Sequence, residues 1–476
     1  MNTFFPSTFE QIFLSFSFMF SSPTYSNFIT LSIGWILCQG RHTVSRAIQS
    51  AGQPGYSKHH SVFYRFFSRA VWKSDQLGCA LLNLAMNFIS ENDILFVVDD
   101  TLCRKSGPHI FGGGMHHDPL RSTYVRKNRQ HAFAFGHNWV VISVWVPFPW
   151  NPQRGAAIPV LSRLYRSKRT APKSLYKKRT KMASEMIKTV TEWLPEHKRV
   201  HITADGEYAC QTVVKDLPAG IDFTGPMGMN AAIYELPTEK GRKQKGRPRL
   251  KGKRLPTPKK LAEDKKVPWQ KQTVCIYGRE IEVFFKSLVV IWYRVAGSRP
   301  VRMVITRDPT GRIEDRAYFT TRNDLQPGSV LVLFAKRWSQ EVTFYNCKQC
   351  LGLEDPQNGW AKRKRRPKNK IPGPQPIGNK GREAVQRTVP FIFTLYGIVF
   401  LWYFQHGSFD EDVKTAQKRA PWYRHKKEPS FRDAMMSARK EIIRNQFLCD
   451  PDFWRVYQNS EHIIESILYQ QLPWAS

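Results

Sequence analysis

The chain has 476 residues, too many for one compact core, so two or three domains are expected. Hydrophobic residues make up 41% and aromatics 13%, which excludes a globally disordered chain. Lys and Arg number 73 against 38 acids, a net charge of +35 that repels itself unless a polyanion lies against it. Nucleic acid is therefore the leading partner, ahead of a ribosome-associated role or a merely basic surface.

The N-terminus is apolar and Phe-rich, but it lacks a positive leading region, and Glu10 and Pro23 interrupt it, so no secretory signal is expected. Residues 1–90 read as a helical, DNA-binding region. GRHTVSRAIQSAG (Gly40–Gly52) starts near a Thr43 cap and ends at glycine, and HSVFYRFFSRAVW (His60–Trp72) carries apolar residues at helical spacing. Two short helices joined by a Gly- and Pro-containing turn resemble a helix-turn-helix, with Arg65 and Arg69 free to meet phosphates. A small helical bundle without that role is the plainer alternative.

From Ile94 the pattern changes. ILFVVD, HNWVVISVWVPF (His137–Phe148) and AIPVLSRLY (Ala157–Tyr165) are apolar runs of strand type. A helix (Ser174–Leu194), a strand (Arg199–Ala204), a short helix (Tyr208–Leu217) and another strand (Ile221–Gly225) follow. Three strands in an antiparallel meander, then further strands added by helical crossovers, match the order of a ribonuclease-H-like fold. HIFGGGMHHDP (His109–Pro119) clusters His109, His116, His117 and Asp118 without a metal-ligand spacing and reads as a loop beside the site.

Residues 91–226 thus form the first part of an α/β, mixed-sheet core. Residues 227–324 read as a basic, β-rich insertion, 325–405 as the rest of the core, and 406–476 as a helical C-terminal region. The insertion opens with KGRKQKGRPRLKGKRLPTPKK (Lys240–Lys260). Its Gly246, Arg247 and Pro248 resemble an AT-hook, which would put Arg247 into a minor groove with Arg249 beside it; a nonspecific phosphate-binding loop is an equal reading. A second basic run, KRKRRPKNK (Lys362–Lys370), precedes a Pro/Gly loop. VPFIFTLYGIVFLWYF (Val389–Phe404) is short of the roughly 18–20 residues a membrane span needs, so a buried core helix is expected and no membrane partner.

Eight cysteines are scattered without a disulfide framework, as suits a reducing interior. Cys347 and Cys350 form one CxxC with no second pair, so helix packing is the reading. No Walker-type loop points to ATP.

The chemistry gathers in carboxylates. ILFVVDDT ends in Asp99 and Asp100, and RVHITADGE carries Asp205. Near residue 340 a single helix is expected to carry Phe334, Arg337, Glu341 and Lys348. At about 100° per residue these fall at roughly 0°, 300°, 340° and 320°, one stripe of a glutamate, two cations and a ring. Asp100, Asp205 and Glu341 are candidate ligands for two divalent ions about 4 Å apart, which would activate an attacking water and relieve charge on the leaving oxygen of a phosphodiester. Mg²⁺ suits all-oxygen ligands, with Mn²⁺ an alternative. Alternation in a doubly buried strand does not separate Asp99 from Asp100. Arg337 and Lys348 would grip phosphates, and Trp338 would stack on a displaced base or pack.

These residues resemble a DDE-superfamily transposase of bacterial insertion sequences, in the group marked Y-x2-R-x3-E-x6-K. The string here is FAKRWSQEVTFYNCK, with Phe334 at the Tyr position and Arg337, Glu341 and Lys348 matching. The family's Asp-Thr pair on strand one matches Asp100-Thr101, which favours Asp100 as first ligand, and the strand ending in Asp205 matches too. The resemblance implies cut-and-paste transposition: binding of terminal inverted repeats, strand cleavage, and strand transfer into target DNA. A homodimer on double-stranded DNA and a bacterial cytoplasmic, nucleoid-associated location follow from it. The rivals are a non-catalytic DNA-binding descendant, a DNA nuclease with the same core, and a membrane-associated basic protein.

Overall fold

The computed structural model describes residues 6–90, 92–106, 110–118, 132–237, 249–356 and 379–448. Its centre is a ten-stranded mixed sheet. Strand β1 (Asp93–Arg104) pairs antiparallel with β3 (Phe133–Phe148), which pairs antiparallel with β4 (Asn151–Tyr165). On its other side β1 runs parallel to β5 (Arg199–Ala204), and β5 parallel to β6 (Ile221–Met227). Helix α6 (Arg179–Glu192) makes the crossover from β4 to β5. A three-strand meander with two parallel strands added by crossovers is the ribonuclease-H-like arrangement. β1 and β3 lie inside the sheet with both faces covered, which is why they are apolar without alternation.

Strand β2 (Gly114–His117) adds to β3 beyond the end of β4, through Gly114↔Gly136 to His117↔Phe133. The sequence reading of this stretch as a loop is corrected there: glycines and histidines carry little strand signal, and an edge ladder needs only backbone. His109 and Pro119 lie outside the described residues.

The strands of the insertion continue the core sheet. β10 (Arg316–Thr320) pairs with β6, and β9 (Pro300–Arg307), β8 (Arg279–Ile291) and β7 (Gln270–Ile276) follow, all antiparallel. The edge of β6, a template for wrong pairing if left open, is thereby covered. β7 and β8 join through Tyr277 and Gly278, with φ of 55° and 74°, the signature of a two-residue hairpin turn. Arg247, with the rest of the AT-hook-like segment, and Lys362–Lys370 lie outside the described residues; Arg249 is exposed.

Helices cover the sheet. The N-terminal set comprises α1 (Ser7–Leu14), α2 (Ser22–Leu37), α3 (Val44–Ser50), α4 (Ser61–Ser68) and α5 (Ser74–Met86). Thr43 caps α3, its side chain accepting from the Arg46 amide. α4 buries Phe63, Phe66 and Phe67 and leaves Arg65 and Arg69 exposed. α5 approaches β4 so closely that a Cβ on Gly78 would lie 1.7 Å from the Val160 carbonyl oxygen.

After β10 come α7 (Pro327–Ala335), α8 (Trp338–Cys350), α9 (Asn379–His406), α10 (Phe409–Arg419) and α11 (Phe431–Leu448). α9 is longer than the apolar run suggested. Its 381–406 portion is long and apolar enough to cross a membrane, yet 89% of its most apolar window is buried inside the protein. Phe391 packs its ring on Phe28, Trp35, Phe66 and Phe67. One apolar core joins the N-terminal helices, the sheet and α9, with Cys347 inside it. Within the described residues no disulfide forms.

The single helix expected around residue 340 is broken. α7 ends at Ala335, and a tight turn through Lys336 and Arg337 starts α8, with the Arg337 amide donating to the Phe334 carbonyl at 3.1 Å. α7 is apolar and α8 is mixed, and no glycine or proline stands at the join, so the sequence does not mark it. The turn lets α7 pack on the insertion strands while α8 packs on β1 and β4.

Candidate active site

β1 and β5 carry their acids to the same end of the sheet. Val98 is the register partner of Ala204, the last pair of the β1–β5 ladder, so Asp99 within β1 and Asp205 just past the end of β5 follow that pair side by side. Successive side chains of β1 point to opposite faces. Ile94, Phe96 and Val98 enter the main core, whereas Leu95 and Val97 form a small cluster with Trp145, against which Leu333 of α7 packs. Asp99 continues the second series and faces α7 and α8. Asp100 continues the first and faces α6.

The contacts follow that division. Asp99 Oδ2 accepts from Arg337 Nη1 at 2.9 Å, and Arg337 Nη2 meets Glu341 Oε1 at 3.0 Å. Asp99 Oδ1 accepts from the Asp100 backbone amide at 2.8 Å. Burial pushes the Asp99 carboxyl up to about 7; Arg337 opposes this, and the carboxylates of Asp100 and Asp205 reinforce it. Asp205 is exposed, and Glu341 is partly so.

Asp100 is held elsewhere. Its Oδ2 accepts from Asn138 Nδ2 at 2.7 Å and Arg179 Nη1 at 2.8 Å, and its Oδ1 accepts from the Tyr208 hydroxyl at 3.0 Å. Arg179 Nη2 continues to Glu207 Oε2 at 2.7 Å. Burial raises Tyr208 and Glu207 above their ordinary ranges. The sequence reading grouped Asp100 with Asp205 and Glu341; in this structure it is Asp99 that meets Arg337 and, through it, Glu341, while strand alternation turns Asp100 toward Arg179 and Tyr208. Asn138, Arg179, Glu207 and Tyr208 carried no motif that marked them. Only the Asp-Gly-Glu-Tyr run after β5 hinted that more than one acid works at that strand end.

The remaining predicted residues divide. Phe334 belongs to α7; its ring lies 4.8 Å from that of Tyr318, and the Arg337 guanidinium sits 5.7 Å above it. Lys348 Nζ donates to the Leu102 carbonyl at 2.8 Å and lies 3.7 Å from Glu354, so it ties α8 to β1. Trp338 is 48% exposed and lines a cleft with Trp145, Tyr277, Lys336 and Val342. Tyr277, on the β7–β8 turn, is within electrostatic reach of Arg337 and Glu341, so the insertion contributes to the rim of the site.

Asp99, Asp205 and Glu341 offer the hard oxygen donors that Mg²⁺ and Mn²⁺ take, on one face and from three elements. As they stand, no group of three acids, histidines or cysteines among the described residues is arranged to hold a metal ion. The Arg337 guanidinium occupies the space between two of the donors. The donor set fits a divalent ion in kind, with a cation of the protein's own already between its members.

A family model described as "DDE superfamily endonuclease" matches residues 23–279, more than half of the chain. Among curated proteins none matches the sequence. Among solved structures, the cryo-EM structure of a piggyBac transposase synaptic complex with hairpin DNA is similar at a TM-score of 0.40 and 9% identity, covering 95% of this chain and 77% of that one.

Proposed function

The chain belongs to the DDE superfamily endonuclease family, and from that premise we propose that it is a DNA transposase whose carboxylates Asp99, Asp205 and Glu341 hold divalent metal. The observation that carries the reading is the Asp99–Arg337–Glu341 contact, which joins the middle of β1 to the start of α8, with Asp205 following the last β1–β5 pair. Two Mg²⁺ ions, or Mn²⁺ in their place, would supply an activated attacking oxygen and charge relief at the leaving one.

The chain's own residues do the rest. Asp99 is held in the β1–β3 ladder opposite Val141, and Asp205 directly follows the last pair of the β1–β5 ladder. Glu341, one turn into α8, is the adjustable third donor. Arg337 offers a planar fork for a phosphate beside the scissile bond. Trp338, exposed on the rim, is a platform for a base displaced near the cut. Lys348 holds α8 against β1 and so sets where Glu341 stands. The charge of +35, the exposed Arg65, Arg69 and Arg249, and the segment around Arg247 suit a long duplex footprint.

We read the reaction as cut-and-paste movement of an insertion sequence of the Y-x2-R-x3-E-x6-K group: recognition of terminal inverted repeats, nicking by water, and attack of the freed 3′-hydroxyl on target DNA. Both steps are in-line displacements at phosphorus, so one set of carboxylates serves both. Pairing two ends calls for a homodimer, working at the nucleoid in a bacterial cytoplasm. Purified protein, a duplex carrying the element's end, a target plasmid and Mg²⁺ test it. Joined products that disappear with Asp205→Ala support transposition, free breaks without joining favour a nuclease, and joining that survives Asp205→Ala refutes the site.

A further inference from the structure

In this structure both terminal nitrogens of the Arg337 guanidinium, the group assigned above to a phosphate, are engaged within the protein. Its guanidinium bridges Asp99 and Glu341, at 2.9 and 3.0 Å, and its side chain is only 14% exposed. Its Nε is buried and has no hydrogen-bond partner among the described residues. The contact is therefore incomplete: one of the fork's donors is left unmade, at a cost that a better-matched acceptor would remove.

Its backbone position favours release. Arg337 lies in the turn between α7 and α8, so its side chain can leave without unwinding either helix. The two carboxylates it bridges would face one another without a counter-ion if it left. A divalent ion needs those same oxygens, so guanidinium and metal compete for one place. A phosphodiester presents two oxygens in the geometry a guanidinium fork accepts, and Nε with one Nη is such a fork.

We infer that Arg337 is a resident counter-ion that withholds Asp99 and Glu341 from divalent metal until a DNA phosphate draws it away, coupling metal loading to DNA engagement. The inference rests on the metal-site reading above and adds its order of events. Coupling of this kind is reciprocal: whatever factor DNA adds to metal affinity, metal adds to DNA affinity.

The test is Mn²⁺ binding to the full chain, by calorimetry and by loss of the free-ion EPR signal, first with no DNA present. Arg337→Met is expected to bind Mn²⁺ about tenfold or more tightly than the wild type, and a short phosphate-bearing duplex is expected to tighten Mn²⁺ binding more in the wild type than in Arg337→Met. Arg337→Lys, whose single ammonium spans one carboxylate at a time, should fall between and guards against misfolding of the Met variant. Equal Mn²⁺ affinity in wild type, Met and Lys variants, lost on adding Glu341→Gln, overturns the counter-ion role and leaves the metal site standing. Mn²⁺ binding indifferent to both Glu341→Gln and Asp205→Ala overturns the metal site, and the inference with it.

Discussion

Asp99 and Asp100 are neighbours with opposite surroundings, and removing each should give opposite results. Asp100→Ala strips the acceptor from three donors at once: Asn138 Nδ2, Arg179 Nη1 and the Tyr208 hydroxyl. Asn138 and Tyr208 are buried, so each orphaned donor costs about 1–3 kcal/mol, while water reaches the partly exposed Arg179 and softens its loss. A destabilisation of about 3–4 kcal/mol follows. Asp99→Ala removes one of the two carboxylates on Arg337, which keeps Glu341, and also relieves a buried carboxyl that burial penalises. Its net cost should be about 1 kcal/mol. In chemistry the order reverses. Losing a metal-holding oxygen forfeits several kcal/mol of charge stabilisation, about 10³ in rate, so Asp99→Ala should be folded and nearly silent in a nicking assay. Asp100→Asn, which keeps an oxygen for Arg179 and Asn138, should nick within about tenfold of wild type. Urea midpoints on the three variants, beside nicking of a labelled duplex in Mg²⁺, give both columns. An Asp100→Ala protein as stable as wild type yet inactive, with Asp99→Ala still cutting, would refute the assignment by strand face.

His201 is buried, its Nε2 shares a hydrogen bond with the Thr224 hydroxyl at 2.8 Å, and burial first of all lowers its pKa to about 4. The unfolded chain takes up this proton near the ordinary 6.5, so the contribution is intact above that pH and lost as pH falls from 6.5 toward 4, by about 3 kcal/mol. His201→Gln should flatten that part of the stability–pH curve; an unchanged slope in urea unfolding between about pH 7 and pH 4 counts against it. Gly78→Ala should lower stability by about 3 kcal/mol or more, because its Cβ meets the β4 backbone at Val160 rather than a side chain that can rotate; a wild-type thermal midpoint would show that α5 shifts at little cost. DNA binding should weaken steeply with salt, log K falling by about 0.9 for each phosphate neutralised per decade of salt, and a flat response would remove the electrostatic footprint inferred from the charge.

The core was legible because its strands are buried on both faces. Ile94–Val98 in β1, Val140–Ile142 in β3 and Val200–Ile202 in β5 read as strand-type runs whatever their register. Their order with the intervening helix left few topologies to consider. What escaped has physical causes. The Gly114–His117 edge strand is held by backbone pairing to β3, which composition does not report. The insertion's strands look alike whether they form a separate unit or lengthen the core sheet, because both choices bury the same alternate residues; the pairing of β10 with β6 is what decides.

The same limit explains the aspartates. Strand periodicity says that Asp99 and Asp100 must diverge, but in a doubly buried strand it does not say which face holds the third acid. That depends on which side of the sheet α8 packs, and therefore on the turn at Lys336–Arg337, which the sequence does not mark because no glycine or proline stands there. Arg337 records the outcome. Four residues before Glu341 and tied to Asp99, it reaches one of the two aspartates only, and its choice identifies the face on which β1, β5 and α8 bring their acids together.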